Sequence, residues 1–176
     1  MLSPLGDPSY EYFPRCRGFK IAALNVNSLS KHNDELRIIL NDNVLDVLAI
    51  NEAKLDDTVS DGELFINGYD IVRRDRAVNG RRGGGVCFYV RSNIDYFVRN
   101  DLSSDILEIL SIEIRKPNAR PFVITTWYRP PDSPVELFSH FETVIGKLDS
   151  EGIEHVVLGD MNADYLSPSD STTKAL

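Results

Sequence analysis

The run His155-Val156-Val157-Leu158-Gly159-Asp160-Met161-Asn162 limits the architecture more than any other stretch of this chain. Three apolar residues between polar ones are too few for a helix and suit a central strand, after which glycine frees the backbone to turn. Asp160 and Asn162 are thereby carried to the rim of a sheet, facing a cleft. Taken singly, such residues also stabilise turns by bonding their own backbone, so Gly-Asp-x-Asn alone is a weak sign. The same arrangement occurs twice more. Phe19-Lys20-Ile21-Ala22-Ala23-Leu24 reads as a strand that delivers Asn25, Asn27 and Ser28 into a loop, and Val44-Leu45-Asp46-Val47-Leu48-Ala49-Ile50 as one that delivers Asn51 and Glu52. A lone carboxylate after an apolar run is commonly just the first solvated residue; three strands ending alike are not explained that way.

Two helices are marked between such runs. Ser133-Pro134-Val135-Glu136 carries an N-cap serine, proline at the first helical position and a capping-box glutamate. Leu137, Phe141, Val144, Ile145 and Leu148 then recur at helical spacing. An earlier helix opens near Ser30, with Asp34 and Glu35 in its first turn and Leu36, Ile39 and Leu40 on its buried face. Strands are expected over Val86 to Val90, Leu110 to Ile114 and Phe122 to Trp127, with Leu110, Ile112 and Ile114 inward and Ser111 and Glu113 outward. Apolar runs interleaved with helices and hairpin-like segments point to a mixed sheet covered by helices.

At 176 residues the chain holds at most one domain with a substantial core. A formal charge of −8 is the reverse of the basic footprint usual for nucleic-acid binding. The local distribution differs, because Arg73, Arg74, Arg76, Arg81, Arg82 and Arg91 fall in one short stretch opposed only by Asp75. Such a cluster either tracks phosphates or forms a solvated face, and the salt dependence of binding separates the two. Cys16 and Cys87 have no paired spacing for zinc or a disulfide and read as reduced thiols of an intracellular protein. Residues 1–17 read as an irregular tail with no continuous apolar run, which argues against a signal peptide or a membrane span. Residues 167–176 read as a loop cut short.

The order Leu24-Asn25-Val26-Asn27-Ser28-Leu29, Ile50-Asn51-Glu52-Ala53-Lys54-Leu55, Trp127-Tyr128-Arg129-Pro130-Pro131 and Gly159-Asp160-Met161-Asn162 resembles the endonuclease/exonuclease/phosphatase family. Within it, the chain looks most like the endonuclease domain of non-LTR retrotransposons. Gly68-Tyr69-Asp70-Ile71-Val72-Arg73-Arg74-Asp75-Arg76 and Gly83-Gly84-Gly85-Val86-Cys87-Phe88-Tyr89-Val90 are similar to that group too, so the resemblance covers residues 18–166. It implies a two-sheet α/β sandwich of the deoxyribonuclease I type, truncated at its C-terminal side, with the site at one edge. Ala53 stands where the family commonly has threonine. The family closes with a Ser-Asp-His block, which Ser169-Asp170-Ser171 is not. His155 lies about 16 Å along an extended strand from Asp160. His140 is expected beside the apolar face of its helix, and His32 solvated in a first turn. The chain is therefore expected to be the N-terminal part of a catalytic domain, impaired in activity, with unpaired strand edges and low solubility.

Phosphodiester hydrolysis needs a cation on the phosphate oxygens, a base for water and donors for developing charge. Oxygen ligands without Cys or His clusters suit Mg²⁺ or Mn²⁺. The resemblance then implies Glu52 as direct metal ligand with Asn25 beside it, Asp160 as the group that orients and deprotonates water, and Asn162 as an amide donor to phosphate. Tyr128 would contact the phosphate through its hydroxyl, helped by Arg129, although an aromatic at a strand end also serves as packing alone. Arg73, Arg74, Arg76, Arg81 and Arg82 are weaker phosphate-binding candidates. DNA is the substrate expected first, nicked in the nucleus by a protein whose full length carries a reverse transcriptase domain. An abasic-site endonuclease, an inositol or lipid phosphatase, and a non-catalytic remnant that binds nucleic acid are the alternatives.

Overall fold

Both faces of the central strands are apolar, so each sheet needs a cover on two sides, and the fold supplies it in four layers. The computed structural model describes residues 17–41, 44–76 and 83–163; Cys16, Arg81, Arg82, the expected tail except Arg17, and the closing loop lie outside the described residues. The first sheet contains β1 (Ile21–Asn25), β2 (Val47–Asn51), β3 (Tyr69–Arg74) and β4 (Val86–Arg91), and the second β5 (Asp95–Val98), β6 (Glu108–Arg115), β7 (Phe122–Tyr128) and β8 (Glu154–Asp160). Their orders are β1-β2-β4-β3 and β5-β6-β7-β8. The pairs β1/β2 and β7/β8 are parallel and every other pair is antiparallel. Parallel neighbours need crossovers, which α1 (Leu29–Leu40) and α2 (Leu137–Glu151) provide.

Between the sheets, Val47, Ala49, Phe88 and Val90 meet Leu110, Ile112, Ile114 and Ile124. Outside the first sheet, α1 lays Leu29, Leu36 and Leu40 on Leu48, Ile50 and Tyr89. Outside the second, α2 lays Phe138, Val144 and Leu148 on Ile109, Val123 and Trp127, with Phe141 stacked on the indole at 4.2 Å. The alternation expected along β6 holds, but its outward face is covered: Ser111 bonds Thr125 at 2.8 Å and Glu113 meets Arg99 at 3.2 Å, both acceptors buried. Cys87 is buried and free. Among the described residues no helix is long and apolar enough to cross a membrane.

Both helices start elsewhere than their sequence signals suggest. Ser28 rather than Ser30 is the cap of α1, and its side chain makes no capping bond. Instead the Ser28 and Leu29 N–H groups donate to the Glu52 and Ala53 carbonyls, each at 2.8 Å, so a neighbouring loop satisfies donors that a cap would take. Asp34 and Glu35 consequently fall beyond the first turn and pair with Arg37 and His32. Helix α2 begins at Leu137, not at Pro134, because the Ser133 carbonyl accepts the Arg129 guanidinium and a single tighter turn leads in. Phe138, absent from the expected stripe, is its most buried contact beside Leu148. Strands β3 and β5 were not expected: arginines and aspartate blur alternation in the first, and the second has four mostly exposed residues.

Strand β8 does not stop at Leu158 but runs through Gly159 to Asp160, paired with Trp127 and Tyr128. Gly159 has φ 138°, and a β-carbon there would lie 2.0 Å from the Trp127 carbonyl oxygen. Replacing it with alanine therefore combines strain with backbone overlap, and Gly159→Ala should cost about 3 kcal/mol or more in urea unfolding. A cost below about 1 kcal/mol would show that this close approach is not rigidly held.

The strands β1 and β8 are outermost in their sheets, on the same side, and touch. Leu24 is 42% exposed there, and Val156, Val157 and Leu158 are only half-buried. Among the described residues these edges are unpaired, and strand edges with apolar residues favour association, so sedimentation velocity should show concentration-dependent oligomers. A monomer at all concentrations would contradict this.

Candidate active site

The carboxyl ends of the two parallel pairs meet at one rim, since Asn25 is in register with Asn51 and Tyr128 with Asp160. Ligands in sheets of this kind bind beyond the carboxyl ends of parallel strands. Among the described residues, five of the seven non-glycine residues with positive φ also cluster here, namely Asn27, Ser28, Glu52, Lys54 and Asn162. Such backbone costs about 1–3 kcal/mol per residue and concentrates where geometry serves function.

At the centre stands Asn25. Its amide nitrogen donates to Glu52 Oε1 at 2.9 Å and to Asp160 Oδ2 at 2.8 Å, joining the two sheets. Ionised carboxylates only accept, so the amide must present its NH₂ to both; its Oδ1 accepts the Asn27 N–H at 3.2 Å. One layer down, Asn51 donates to Thr126 at 3.1 Å, a second polar link between sheets, wholly buried.

Glu52 also lies 3.1 Å from Lys54 Nζ, with the Tyr128 hydroxyl close by. Burial pushes its carboxyl up, but donation from Asn25, Lys54 and Tyr128, with the lysine charge, outweighs burial and holds it below the ordinary value. For Tyr128 the sign is opposite: burial and the adjacent Glu52 charge raise it far above the ordinary tyrosine range, so it stays protonated. Asp160 Oδ1 accepts the Asn162 N–H at 3.1 Å, while the Asn162 amide donates to the Arg129 carbonyl at 2.7 Å. That bond uses one of the two amide hydrogens.

Glu108 braces this loop from the opposite sheet. Its Oε2 accepts the Gly85 N–H at 2.6 Å and its other oxygen takes Arg76. The Gly84 and Gly85 carbonyls in turn accept the Lys54 and Ala53 N–H groups at 2.7 and 3.1 Å, directly after Glu52. Ala53 is itself buried.

The arginine cluster is largely turned inward. Arg73 binds Asp75, Asp61 and two carbonyls; Arg74 donates to the Ser104 and Ile109 carbonyls; Arg76 grips Glu108. Arg91 pairs with Asp46. Arg129, expected at the phosphate, is 2% exposed and donates to the Asn162 and Ser133 carbonyls, which corrects its role to a brace behind Asp160. Arg81 and Arg82 lie outside the described residues. None of the histidines reaches the site: His32 bonds Glu35, His155 faces the Ile153 carbonyl, and His140 is exposed rather than packed on its helix's apolar face.

Lys54 and Glu108 were missed from sequence, although Lys54 follows Glu52 by two residues in the same motif. Among the described residues no cluster of three or more His, Cys, Asp or Glu could hold a metal. The donors present are two carboxylates and several amides, which suits Mg²⁺ or Mn²⁺, ions commonly held by one or two carboxylates while keeping most of their water.

Two outcomes are expected. Because Glu52 is held low, its charge is fully present above the ordinary carboxylate value and disappears as pH falls through the lower folded value. Asn25→Ala should move that titration upward when followed by NMR; an unmoved value would mean Asn25 does not stabilise the charge. Glu108→Ala strands the Gly85 N–H and Arg76 and should cost about 2–3 kcal/mol in chemical denaturation, most of it recovered by Glu108→Gln.

Comparison with known proteins bears on this geometry. Residues 22–175 match the Endonuclease/Exonuclease/phosphatase family. No curated protein sequence matches. Among solved structures, the endonuclease domain of TRAS1, a telomere-specific non-LTR retrotransposon, is similar at TM-score 0.63 and 17% identity, over 84% of this chain and 60% of that one. The AP endonuclease LMAP of Leishmania major is similar at 0.66 and 16%, over 82% and 55%. A mannosyl-6-phosphatase of Bacteroides thetaiotaomicron is similar at 0.62 and 13%, over 90% and 69%. The chain thus spans less than two thirds of the first two domains. At these identities the likenesses establish the two-sheet fold.

Proposed function

Because the chain belongs to the endonuclease/exonuclease/phosphatase family, we propose that this rim hydrolyses phosphodiesters with a divalent cation, and that its substrate is DNA. The observation that carries the reading is the Asn25 amide shared by Glu52 and Asp160. It sets two carboxylates side by side at the rim, an arrangement that one divalent cation would bind. Mg²⁺ or Mn²⁺, when bound, polarises the phosphate and acidifies water.

The chain's own groups divide the remaining work. Glu52, held ionised, offers a carboxylate to the cation. Asp160, fixed at both oxygens by Asn162 and Asn25, orients the attacking water and accepts its proton. Asn162 offers its remaining amide hydrogen to a phosphate oxygen, and Tyr128, kept protonated, supplies a hydroxyl donor. Lys54, exposed and beside Glu52, adds positive charge at the entrance. Similarity to the TRAS1 endonuclease domain supports an endonuclease; nicking in the nucleus, alongside a reverse transcriptase domain, belongs to the same proposal.

A second reading, hydrolysis of small sugar or lipid phosphates, is favoured by the inward-turned arginines, which leave little basic track for a polyanion. Nicking of supercoiled DNA separates them. The expected result is slow nicking that needs Mg²⁺ or Mn²⁺ and falls roughly 10²–10⁴-fold in Asp160→Ala. Hydrolysis of small phosphate esters without nicking would favour the second reading. Salt-sensitive DNA binding with no turnover would leave a non-catalytic remnant.

A further inference from the structure

We propose that the cleft of about 600 Å³ beside Tyr128 is a nucleobase subsite, taking the base next to the scissile phosphate. The proposal rests on the nuclease reading above and adds to it the part of the substrate that is recognised. Tyr128 belongs to both places: its hydroxyl reaches Glu52 and its side chain lines the cleft. A base entering here would be joined through its sugar to a phosphate at the rim. The volume lies within the range of small-ligand sites.

Charge decides what the cleft can accept. Arg74 and Arg76 line it, but Arg74 is committed to the Ser104 and Ile109 carbonyls and Arg76 to Glu108. Asp105 and Asp132 stand exposed on its two lips, and among the described residues neither has an ion-pair partner. With Asp75, Asp105, Glu108 and Asp132 against Arg74 and Arg76, the lining carries more negative than positive charge, which disfavours phosphate and offers acceptors. Acceptor-rich edges select bases with exocyclic amines, as a carboxylate accepts from cytosine N4. Ile106, 56% exposed, and Pro130, Pro131 and Pro134 also line the cleft and give it apolar surface for a base. Trp127, which also lines it, is fully buried, and among the described residues its indole Nε1–H has no acceptor. Its ring packs on Phe138 and Phe141 behind the cleft wall, so it senses what the cleft holds.

Trp127 is the chain's single tryptophan, so its indole N–H gives one NMR resonance that reports the cleft without requiring turnover. Without metal, deoxycytidine should shift this resonance and the Ile106 and Leu107 amides saturably, thymidine more weakly, and inorganic phosphate not at all. Asp132→Asn, which tolerates the φ of 61° at that position, and Ile106→Ser should each weaken deoxycytidine about tenfold, the weight of one charged hydrogen bond or one apolar contact. Phosphate shifting the indole as strongly as the nucleoside would overturn the proposal. So would equal response to thymidine, or no saturable shift with either nucleoside. An indole shift without metal-dependent nicking would reject the nuclease reading and keep the subsite; nicking unaffected by Asp132→Asn, with no indole shift, would do the reverse.

Discussion

One amide nitrogen, Asn25 Nδ2, holds carboxylates from two different sheets, and the rest of the rim is arranged so that it can. Two carboxylates within a hydrogen bond of the same atom carry like charge, which the Asn25 amide and the Lys54 ammonium offset. The contact therefore requires the sheets to be stacked in a fixed register. The buried Asn51–Thr126 bond sets that register from below, and Gly159 lets β8 approach the Trp127 carbonyl closely enough to put Asp160 opposite Tyr128. Small shifts in any of these would separate Glu52 from Asp160.

Strain and charge at the rim point the same way. Glu52 and Lys54 both have φ 52°, held there because the Gly84 and Gly85 carbonyls take the next two N–H groups and the Ser28 and Leu29 N–H groups take the facing carbonyls. Glu108 fixes that glycine turn from the second sheet, with Arg76 balancing its charge. The loop that carries the metal-ligand candidate is thus fastened by backbone from two other segments. Lys54 rests against Glu52, a cation already in place at the carboxylate pair.

Much of this was legible in sequence because strands carry their polar ends visibly. The runs ending at Asn25, Glu52 and Asp160 announce the rim, and central strands covered on both faces read as unbroken apolar stretches such as Val86–Val90. What was not legible depended on partners distant in sequence. Ser30 and Ser133 look like helix caps, but the backbone beyond Glu52 and the Arg129 guanidinium supply the interactions that decide where α1 and α2 begin. Arginines 73, 74, 76 and 129 look like a phosphate track until their internal acceptors, contributed by residues up to 35 positions away, are seen. Glu108 gave no local signal, since its role exists only once β6 lies opposite the glycine turn.

The central claim is that the two sheets jointly form one cation site. Titration with Mn²⁺, followed by paramagnetic broadening of assigned NMR resonances, tests it without reference to turnover. The account predicts that the side-chain and backbone signals of Asn25, Glu52, Asp160 and Asn162 broaden together at the lowest Mn²⁺ concentrations, and that Glu52→Gln abolishes the effect in both sheets. Broadening confined to exposed acids such as Asp57 or Asp61, or to one sheet only, would contradict it.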